Sequence, residues 1–353
     1  CCVTLGFMLF YERYYEVLDS YGYFAGAQGR SFDWSTVGLG AGTYTVTALA
    51  WLHAQWLVAS YHATKVSFAM VGLVAVFVFY RAACAALGAR RLALLFGLAL
   101  FPSVLFWSSI LGKDPVALLG LAIYSFGVVG WLRTGRASSL AVAGAGVVIA
   151  MAIRLWLGPI CAVPVLVVGL RTVRRWPHRL ALLAVGMLIL VGLVALLREH
   201  FALDTIADSL QVVSNVSTAM AVGGSAQLVL TDFTNPVELL KFLPLGFVAA
   251  LVRPLPGEVM NPFGLLAGLE NLFVLSLVAM AIVRTRWREL TDPVIAWAVL
   301  FVVLWALAYA PISYHNLGAA VRFRLQVLPP MLVLLLYLAR PRGPRPSSTS
   351  REL

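Results

Sequence analysis

Arginine, lysine and histidine side chains recur beside the turns of an otherwise apolar chain, where they could bind a phosphate group. The segment 314–330 (YHNLGAAVRFRLQVLPP) contains His315, Arg322 and Arg324 just before an apolar run. A guanidinium fork matches the oxygens of phosphate, so we favour a phosphate or diphosphate ligand over simple contact with lipid headgroups. Because Arg322 and Arg324 are two residues apart, they point about 200° apart on a helix, and we expect one of them to face a given site.

Two more cations lie where a charge needs a partner. Lys113 is the only cation of the segment 101–114 (FPSVLFWSSILGKD), a tight turn between two apolar runs. A lysine beside a helix N-terminus suits a phosphate, although Asp114 followed by a proline also fits an ordinary N-cap. Arg154 interrupts the apolar stretch 138–170, and a cation at membrane depth usually faces a cavity or a partner. A snorkelling arginine in an outer turn is the alternative.

The segment 251–273 (LVRPLPGEVMNPFGLLAGLENLF) is rigid and irregular at its start and apolar at its end. Arg253 and Glu258 can pair across the turn, and Asn261 precedes a proline that opens the next helix. Glu270 lies about two turns inside that helix, where a carboxylate should face protein or water. A structural pair with an outer cation is the alternative interpretation. We expect Asp114, Glu258, Asn261 and Glu270 to support the site.

Candidate acids for proton transfer lie between the first apolar run and residue 63. Asp19 and Asp33 are the aspartates of this stretch, and Asp19 is followed by an aromatic turn with Tyr21 and Tyr23. A carboxylate near the membrane surface could act as a base or a metal ligand, and aromatic faces beside it would suit a sugar ring. A solvated loop anchored by interfacial tyrosines is the alternative.

These cations should meet in space. Each charge near apolar surroundings needs a partner, and a shared anion would explain why several persist. We therefore expect Lys113, Arg154, Arg253 and Arg322 to converge, with at least three head groups around one site. If each cation instead formed an ion pair with a different acidic residue, their role would be structural.

The elements that carry these residues are apolar runs long enough to cross a bilayer. The chain is 61% hydrophobic and has a mean hydropathy of +0.91, well above a soluble domain. Crossing a bilayer takes roughly 20 apolar residues. We predict an all-α polytopic bundle of about ten spanning helices, with interfacial helices on the outer face. The predicted spans are 1–10, 64–82, 92–110, 114–132, 138–153, 155–170, 180–197, 264–283, 293–310 and 324–339.

The distribution of charge predicts the orientation of the bundle. Placing five arginine clusters on the cytoplasmic side satisfies the positive-inside rule and leaves 12 of the 15 acidic residues outside. Both ends are then cytoplasmic, and the long outer excursions cover about 11–63 and 198–263. The segments 44–60 and 237–252 must be interfacial or re-entrant to keep this alternation.

One transmembrane domain over 1–340 and a disordered cytoplasmic tail at 341–353 complete the predicted organisation. The chain begins at Cys1 without a methionine, part-way through an apolar run, so we interpret it as a fragment. Its net charge of +11 fits topology and anionic lipid, not nucleic acid. Four cysteines lack ligand spacing, so we expect neither a disulfide nor a metal cluster from them.

The order of these features resembles the GT-C superfamily of polyprenyl-phosphate-dependent glycosyltransferases. Segments 101–114 and 251–271 are also similar to motifs in uncharacterised bacterial multi-spanning proteins associated with envelope polysaccharides. The resemblance implies a bacterial cytoplasmic membrane enzyme whose catalytic base or metal ligand is an acid of the first outer loop, here Asp19 or Asp33. The Asp-Asp or Asp-Glu pair of several members is absent, and Asp19 is closer to the first helix. Some members need a divalent metal ion, and the residues leave that open.

The leading hypothesis is a membrane glycosyltransferase that moves a sugar from a polyprenyl-phosphate carrier to an envelope glycan or other acceptor on the outer side. Asp19 or Asp33 would deprotonate the acceptor, and Arg322, with Lys113, Arg154 or Arg253, would hold the carrier phosphate. A polysaccharide polymerase or ligase using diphosphate-linked glycans is a close alternative. A lipid-linked glycan flippase or transporter would need polar groups through the whole membrane. A non-catalytic envelope assembly subunit also stays open.

Overall fold

The computed structural model describes residues 2–14, 19–221, 223–227 and 231–341, and within these ranges the chain is helical without a β-strand. The predicted all-α class is therefore confirmed for this part of the chain. The predicted disordered tail lies, apart from residue 341, outside the described residues. The α-helices α1 to α16 are, in chain order, Cys2–Tyr14, Asp19–Gly26, Gly42–Trp56, Tyr61–Leu87, Leu92–Ala99, Pro102–Trp107, Lys113–Thr134, Ala137–Ile153, Leu157–Thr172, Trp176–Phe201, Ile206–Met220, Pro236–Val252, Pro262–Arg284, Pro293–His315, Leu317–Arg324 and Leu328–Leu338.

Among the described residues, five helices are long and apolar enough to cross a membrane: α4, α7, α10, α13 and α14. A sixth crossing is available if α15 and α16, which are bent by 76° against each other, form one broken span. Two further apolar helices, α8 and α9, are shorter, with 17 and 16 residues. This set suits a multi-pass membrane protein. The predicted total of about ten crossings goes beyond it and stays a prediction.

The surface of α10 is the clearest sign of a lipid environment. Only 6% of the residues in its most apolar stretch are buried, against 67% in α7. Leu188 is 73% exposed and Val191 is 61% exposed. A helix that is apolar on all sides and uncovered by protein requires an apolar solvent, which a bilayer supplies.

Two predicted crossings are broken helices in the structure. The run 92–110 folds as α5 and α6, with a break at residues 100–101. Pro102 opens α6 and lacks the N–H group that would continue the hydrogen bonding of α5. Within the run 324–339, α15 ends at Arg324 and α16 begins only at Leu328, because the prolines that open α16 restrict the backbone before them.

The segments predicted as interfacial or re-entrant, 44–60 and 237–252, fold as α3 and α12. These helices have 15 and 17 residues, and neither is among the candidate spans. α3 packs against α2, α4 and α8, whereas α12 packs along α14. Their lengths are compatible with the interfacial interpretation, which stays a prediction.

α14 runs through the centre of the largest apolar core. Its aromatic residues Trp297, Phe301, Trp305 and Tyr309 are all buried. Two buried polar side chains in this core are paired: the Trp297 indole N–H donates to the Tyr124 hydroxyl over 2.9 Å, and that hydroxyl donates to a backbone carbonyl of α9 over 2.8 Å. The pairing offsets the free-energy cost of burying these polar groups. Helix α14 can therefore lie at the centre of the bundle, where it contacts α7, α9 and α12.

Glycines bring α7 and α8 into backbone contact. A Cβ atom at Gly146 would lie 2.3 Å from the backbone nitrogen of Tyr124, and one at Gly127 would lie 2.4 Å from that of Ala143. Small residues allow this close approach between helices in membranes. The position of α7, and of the charged residues at its start, therefore depends on glycine at these contacts, because any side chain there would push the two helices apart.

We expect Gly146→Ala to destabilise the protein by about 1–3 kcal/mol, because the added methyl group overlaps backbone that cannot move aside. Gly144→Ala on the same helix is the matched control, since no atom lies within 4 Å of its Cβ position. Alanine favours a helix over glycine by about 1 kcal/mol, so the control should be neutral or stabilising. Thermal unfolding in detergent measures both. Equal midpoints for the two variants would contradict the close packing of α7 and α8.

Candidate functional site

A cavity of about 490 Å³ opens where α1, α2, α6, α13 and α15 meet. This volume is within the range of small-molecule sites. Its charged lining residues are Asp19, Lys113, Arg154, Glu270 and Arg322. Residues predicted from separate stretches of the sequence are thus gathered around one space.

Arg322 and Arg154 share the carboxylate of Asp114. Arg322 Nε donates to Asp114 Oδ2 over 2.7 Å, and Arg154 Nη2 lies 3.7 Å from Asp114 Oδ1. Arg322 Nη1 also reaches Asp19 Oδ2 at 3.2 Å. We call these four residues and Lys113 the charged cluster.

Asp114 is the buried centre of the charged cluster. It is 3% exposed, and α7 begins one residue before it, with Gly112 as the N-cap. The expected N-cap role of Asp114 is therefore wrong, because its carboxylate binds two arginines from the first turn of the helix. A negative charge is also favourable there because of the helix dipole.

Aromatic rings hold both arginines in place. The Arg154 guanidinium lies 4.1 Å from the centre of the Phe323 ring, and Arg322 lies 5.4 Å from that of Trp107. Arg154 Nη1 donates to the Tyr309 hydroxyl over 3.3 Å. Stacking and hydrogen bonding leave the guanidinium groups few alternative orientations.

The charged cluster has more positive than negative groups. Lys113 is half-buried, and among the described residues no acid lies within 4 Å of its Nζ and no acceptor bonds it. Arg322 Nη2 likewise has no hydrogen-bond acceptor in the described part of the chain. The charged cluster therefore has three cations and two carboxylates. A bound anion would neutralise the extra positive charge and accept from the donors that have no partner.

Asp19 lies at the rim of the cavity. Its side chain is 64% exposed, in contrast to that of Asp114. The next residue anchors it: Ser20 Oγ hydrogen-bonds the Tyr61 hydroxyl over 2.8 Å, and this hydroxyl donates to Glu12 over 2.8 Å. Burial, and then the Asp19 carboxylate, raise the pKa of Tyr23 to about 12, so this phenol stays protonated at neutral pH.

Asp33 does not line the cavity. Its carboxylate caps the 3-10 turn Trp34–Thr36, accepting from Ser35 Oγ over 2.7 Å and from Ser35 N over 3.0 Å. These bonds lower the pKa of Asp33. The structure thus gives Asp33 a local role and places Asp19 alone of the two beside the cations.

Three cations of the predicted phosphate site lie outside the cavity lining. Arg253 pairs privately with Glu258 over 2.6 Å and stacks on Tyr314. Arg324 is 1% exposed and donates to backbone oxygens and to the Asn271 side chain. His315 Nδ1 bonds a backbone carbonyl one turn earlier over 2.8 Å. Their partners belong to the protein itself, so Arg253 separates from the expected group of four.

The expected supporting residues divide in the same way. Asn261 and Glu270 line the cavity, whereas Glu258 does not. Asn261 caps α13 through its side-chain oxygen, which accepts from the next turn over 2.7 Å. Glu270 is 8% exposed, and its Oε2 accepts from Ser103 N over 2.8 Å. The alternative interpretation, a structural pair of Glu270 with Arg154 or another outer cation, is wrong for the described residues, in which no cation lies within 4 Å of its carboxylate.

An aromatic wall completes the cavity, and the sequence interpretation missed most of it. Tyr11, Phe106, Trp107 and Phe263 line the space, with centroid separations of 4.7 Å for Tyr11–Phe106 and 4.9 Å for Tyr11–Phe263. The rings come from three helices. The four-residue spacing of Ser103 and Trp107 places these two on one face of α6, but no spacing connects Tyr11, Phe106 and Phe263.

Within the described residues, no group of three or more histidine, cysteine, aspartate or glutamate side chains is arranged to hold a metal ion. The question of a divalent metal ion, which the sequence left open, is not tested by the structure. The residues themselves form an anion site more readily than a cation site.

No family model, curated protein or solved structure matches the chain. The resemblance to the GT-C superfamily thus stays an expectation from the sequence. Function has to be argued from the charges, the burial and the shape of the cavity.

We expect Asp114→Asn to destabilise the protein by about 3–5 kcal/mol, because it leaves the buried Arg154 and the partly buried Arg322 without their shared counter-charge. Glu238→Gln is the matched control: its partner Lys241 is 68% exposed, and such surface pairs contribute roughly 0–1 kcal/mol. Equilibrium unfolding in mixed detergent micelles measures the difference. An Asp114→Asn protein as stable as the control would show that the shared carboxylate does not hold the cluster together.

Proposed function

We propose that the protein is a membrane glycosyltransferase that transfers a sugar from a polyprenyl-phosphate carrier to an envelope acceptor. The observation that carries this proposal is the convergence of Lys113, Arg154 and Arg322 on one cavity with an exposed carboxylate, Asp19, at its rim. The surrounding helices have the length and composition of membrane spans, which suits a carrier with an isoprenoid tail.

The cations would bind the carrier phosphate and stabilise its leaving charge. Lys113 Nζ and Arg322 Nη2 have open donors, and preorganised donors are most effective where charge develops in the transition state. Asp114 would act indirectly, since its two oxygens fix both arginines before substrate arrives. Arg322 is more exposed than Arg154, so it is the better direct phosphate ligand.

Asp19 would serve as the general base. The acceptor hydroxyl oxygen would attack the anomeric carbon, its proton would pass to Asp19, and the bond from that carbon to the phosphate oxygen would break with its electron pair. The ion pair between Arg322 and Asp19 would link phosphate binding to the base, because an arriving phosphate competes for the guanidinium and frees the carboxylate. Asp33 has no comparable position.

We further propose that the cavity opens on the outer side of a bacterial cytoplasmic membrane, with both chain ends cytoplasmic. The bias of arginine clusters toward one side supports this orientation. A diphosphate-linked donor for a polymerase or ligase would use the same cations, and the size of the donor distinguishes the two reactions.

Asp19→Asn should reduce sugar transfer about 100-fold or more, because the amide cannot take the proton, the usual scale for a general base. Arg322→Lys should also lose activity, since an ammonium group cannot form the two-pronged contact. Transfer of radiolabelled sugar from purified polyprenyl-phosphate donors in proteoliposomes is the measurement, with a panel of sugars on the donor.

Two matched variants control this experiment. Asp33→Asn changes an exposed capping aspartate outside the cavity, and Arg198→Lys changes an exposed arginine bonded only to nearby carbonyls. Both should keep wild-type rates. A folded Asp19→Asn protein with the wild-type rate would remove Asp19 from the mechanism, and absence of transfer from every donor by the wild-type protein would count against the glycosyltransferase itself.

The orientation has its own test by cysteine labelling from outside the cell, with the four native cysteines replaced by alanine. Cysteines at the exposed positions Ser31 and Thr218 should react with an impermeant maleimide in intact cells. A cysteine at the exposed Ser138, in the first turn of α8 on the predicted cytoplasmic side, should react only after permeabilisation. The reverse pattern would invert the bundle. Ser217 is unsuitable because it is fully buried.

A further inference from the structure

The cavity has a second polar end, formed by Glu270 and Ser103. Helix α6 contacts both ends of the cavity. The Trp107 ring lies against the Arg322 guanidinium, and Ser103 N donates to Glu270. These two residues are four apart, which is about 6 Å along a helix axis. Glu270 and Arg322 thus contact residues of α6 that are about one helical turn apart, and both line the same cavity.

The carboxyl group of Glu270 is buried but not fully used by the protein. It is 8% exposed, and its donor among the described residues is Ser103, through the backbone N–H over 2.8 Å and through the hydroxyl group. A carboxylate has about four acceptor positions, so part of its capacity is left for a ligand. Burying a polar group without a partner is unfavourable. An oxygen that faces a cavity under these conditions is suited to a ligand donor.

Arg324 does not occupy the remaining acceptor positions of Glu270. It acts electrostatically on Glu270, yet no ion pair within 4 Å joins them in the described chain, where Arg324 Nε, Nη1 and Nη2 each donate to an uncharged oxygen. The arginine can therefore balance charge from a distance while the hydrogen-bonding capacity of Glu270 stays open toward the cavity.

The wall between the two ends is aromatic and apolar. Phe106 lies on α6 between Ser103 and Trp107, and its ring contacts that of Tyr11 at 4.7 Å between centroids. A ligand that fits must present an anion at one end, hydrogen-bond donors at the other and a body that packs on rings. A sugar phosphate has these parts, because its ring carries hydroxyl groups around apolar C–H faces.

We propose that Glu270 is a specificity-determining residue that accepts hydrogen bonds from hydroxyl groups of the sugar ring, while Lys113, Arg154 and Arg322 hold the attached phosphate. This inference rests on the proposed function, since it assumes the phosphate at the charged cluster. A site that hydrogen-bonds a hydroxyl group rejects analogues without it far better than an apolar pocket selects by size.

Soluble probes separate the two ends of the cavity. The full-length protein in detergent is titrated by calorimetry with inorganic phosphate, with cyclohexyl phosphate and with the 1-phosphates of glucose, galactose and mannose. Cyclohexyl phosphate supplies the same ring size without hydroxyl groups. We expect the best hexose 1-phosphate to bind at least about 10-fold more tightly than cyclohexyl phosphate, the scale of a hydrogen bond to a charged group.

Glu270→Leu should reduce this ratio to near one while it leaves the binding of inorganic phosphate unchanged. Glu270→Gln, which keeps a hydrogen-bonding group, should retain part of the preference and guards against a Leu variant that fails to fold. Glu258→Gln is the matched control, because Glu258 pairs with Arg253 away from the cavity, and it should bind every probe like the wild type.

The outcomes distinguish this inference from the proposed function. If the wild type binds hexose 1-phosphates and cyclohexyl phosphate equally, or if Glu270→Leu and Glu270→Gln both keep the full preference, Glu270 does not select the sugar, yet the phosphate site stands. If no probe binds, or if Arg322→Gln leaves phosphate binding unchanged, the phosphate site fails and the inference falls with it.

Discussion

The carboxylate of Asp114 is the interaction on which the arrangement of the site depends. It is buried at the start of α7 and contacts one arginine that follows α8 and another from α15, with Arg322 held at 2.7 Å. Three separate elements are therefore joined by a single side chain. Because the partners are 208 residues apart in the chain for Asp114 and Arg322, the contact can form only when α7 and α15 have reached their places. The close glycine packing of α7 on α8 sets that place.

Three of the cations that line the cavity can be picked out in the sequence because charge is expensive in apolar surroundings. Lys113, Arg154 and Arg322 stand out for that reason, and all three reach the cavity. The sequence does not identify partners. Arg253 has the same signature, yet Glu258 lies five residues away and satisfies it locally. Arg324 is satisfied by carbonyl oxygens, which leave no pattern in a sequence. The free-energy cost of burying a charge predicts that the charge has a partner, but it does not predict whether that partner is another residue or a ligand.

The presence of the helices could be predicted from the sequence, but their breaks could not. Hydropathy finds the apolar runs, and the all-helical fold follows from them. Pro102 indicates the interruption of the run 92–110, but hydropathy averaged over a window of residues is hardly changed by one proline. The aromatic wall was harder to foresee, since tyrosine and phenylalanine, as at Tyr11, Phe106 and Phe263, can face either lipid or a cavity. Only their ring contacts, at 4.7 Å and 4.9 Å, show that they face each other.

The contrast between Asp114 and Asp19 suggests how one cluster combines stability with chemistry. Asp114 is 3% exposed and Asp19 is 64% exposed, yet both contact Arg322. A buried ion pair is costly to break, whereas an exposed one is weak and exchangeable. Arg322 is therefore anchored on one side by a contact that persists and held on the other by a contact that a ligand can displace. An anion entering the cavity would compete with Asp19 and not with Asp114, so the position of the guanidinium is kept while the exposed carboxylate becomes available.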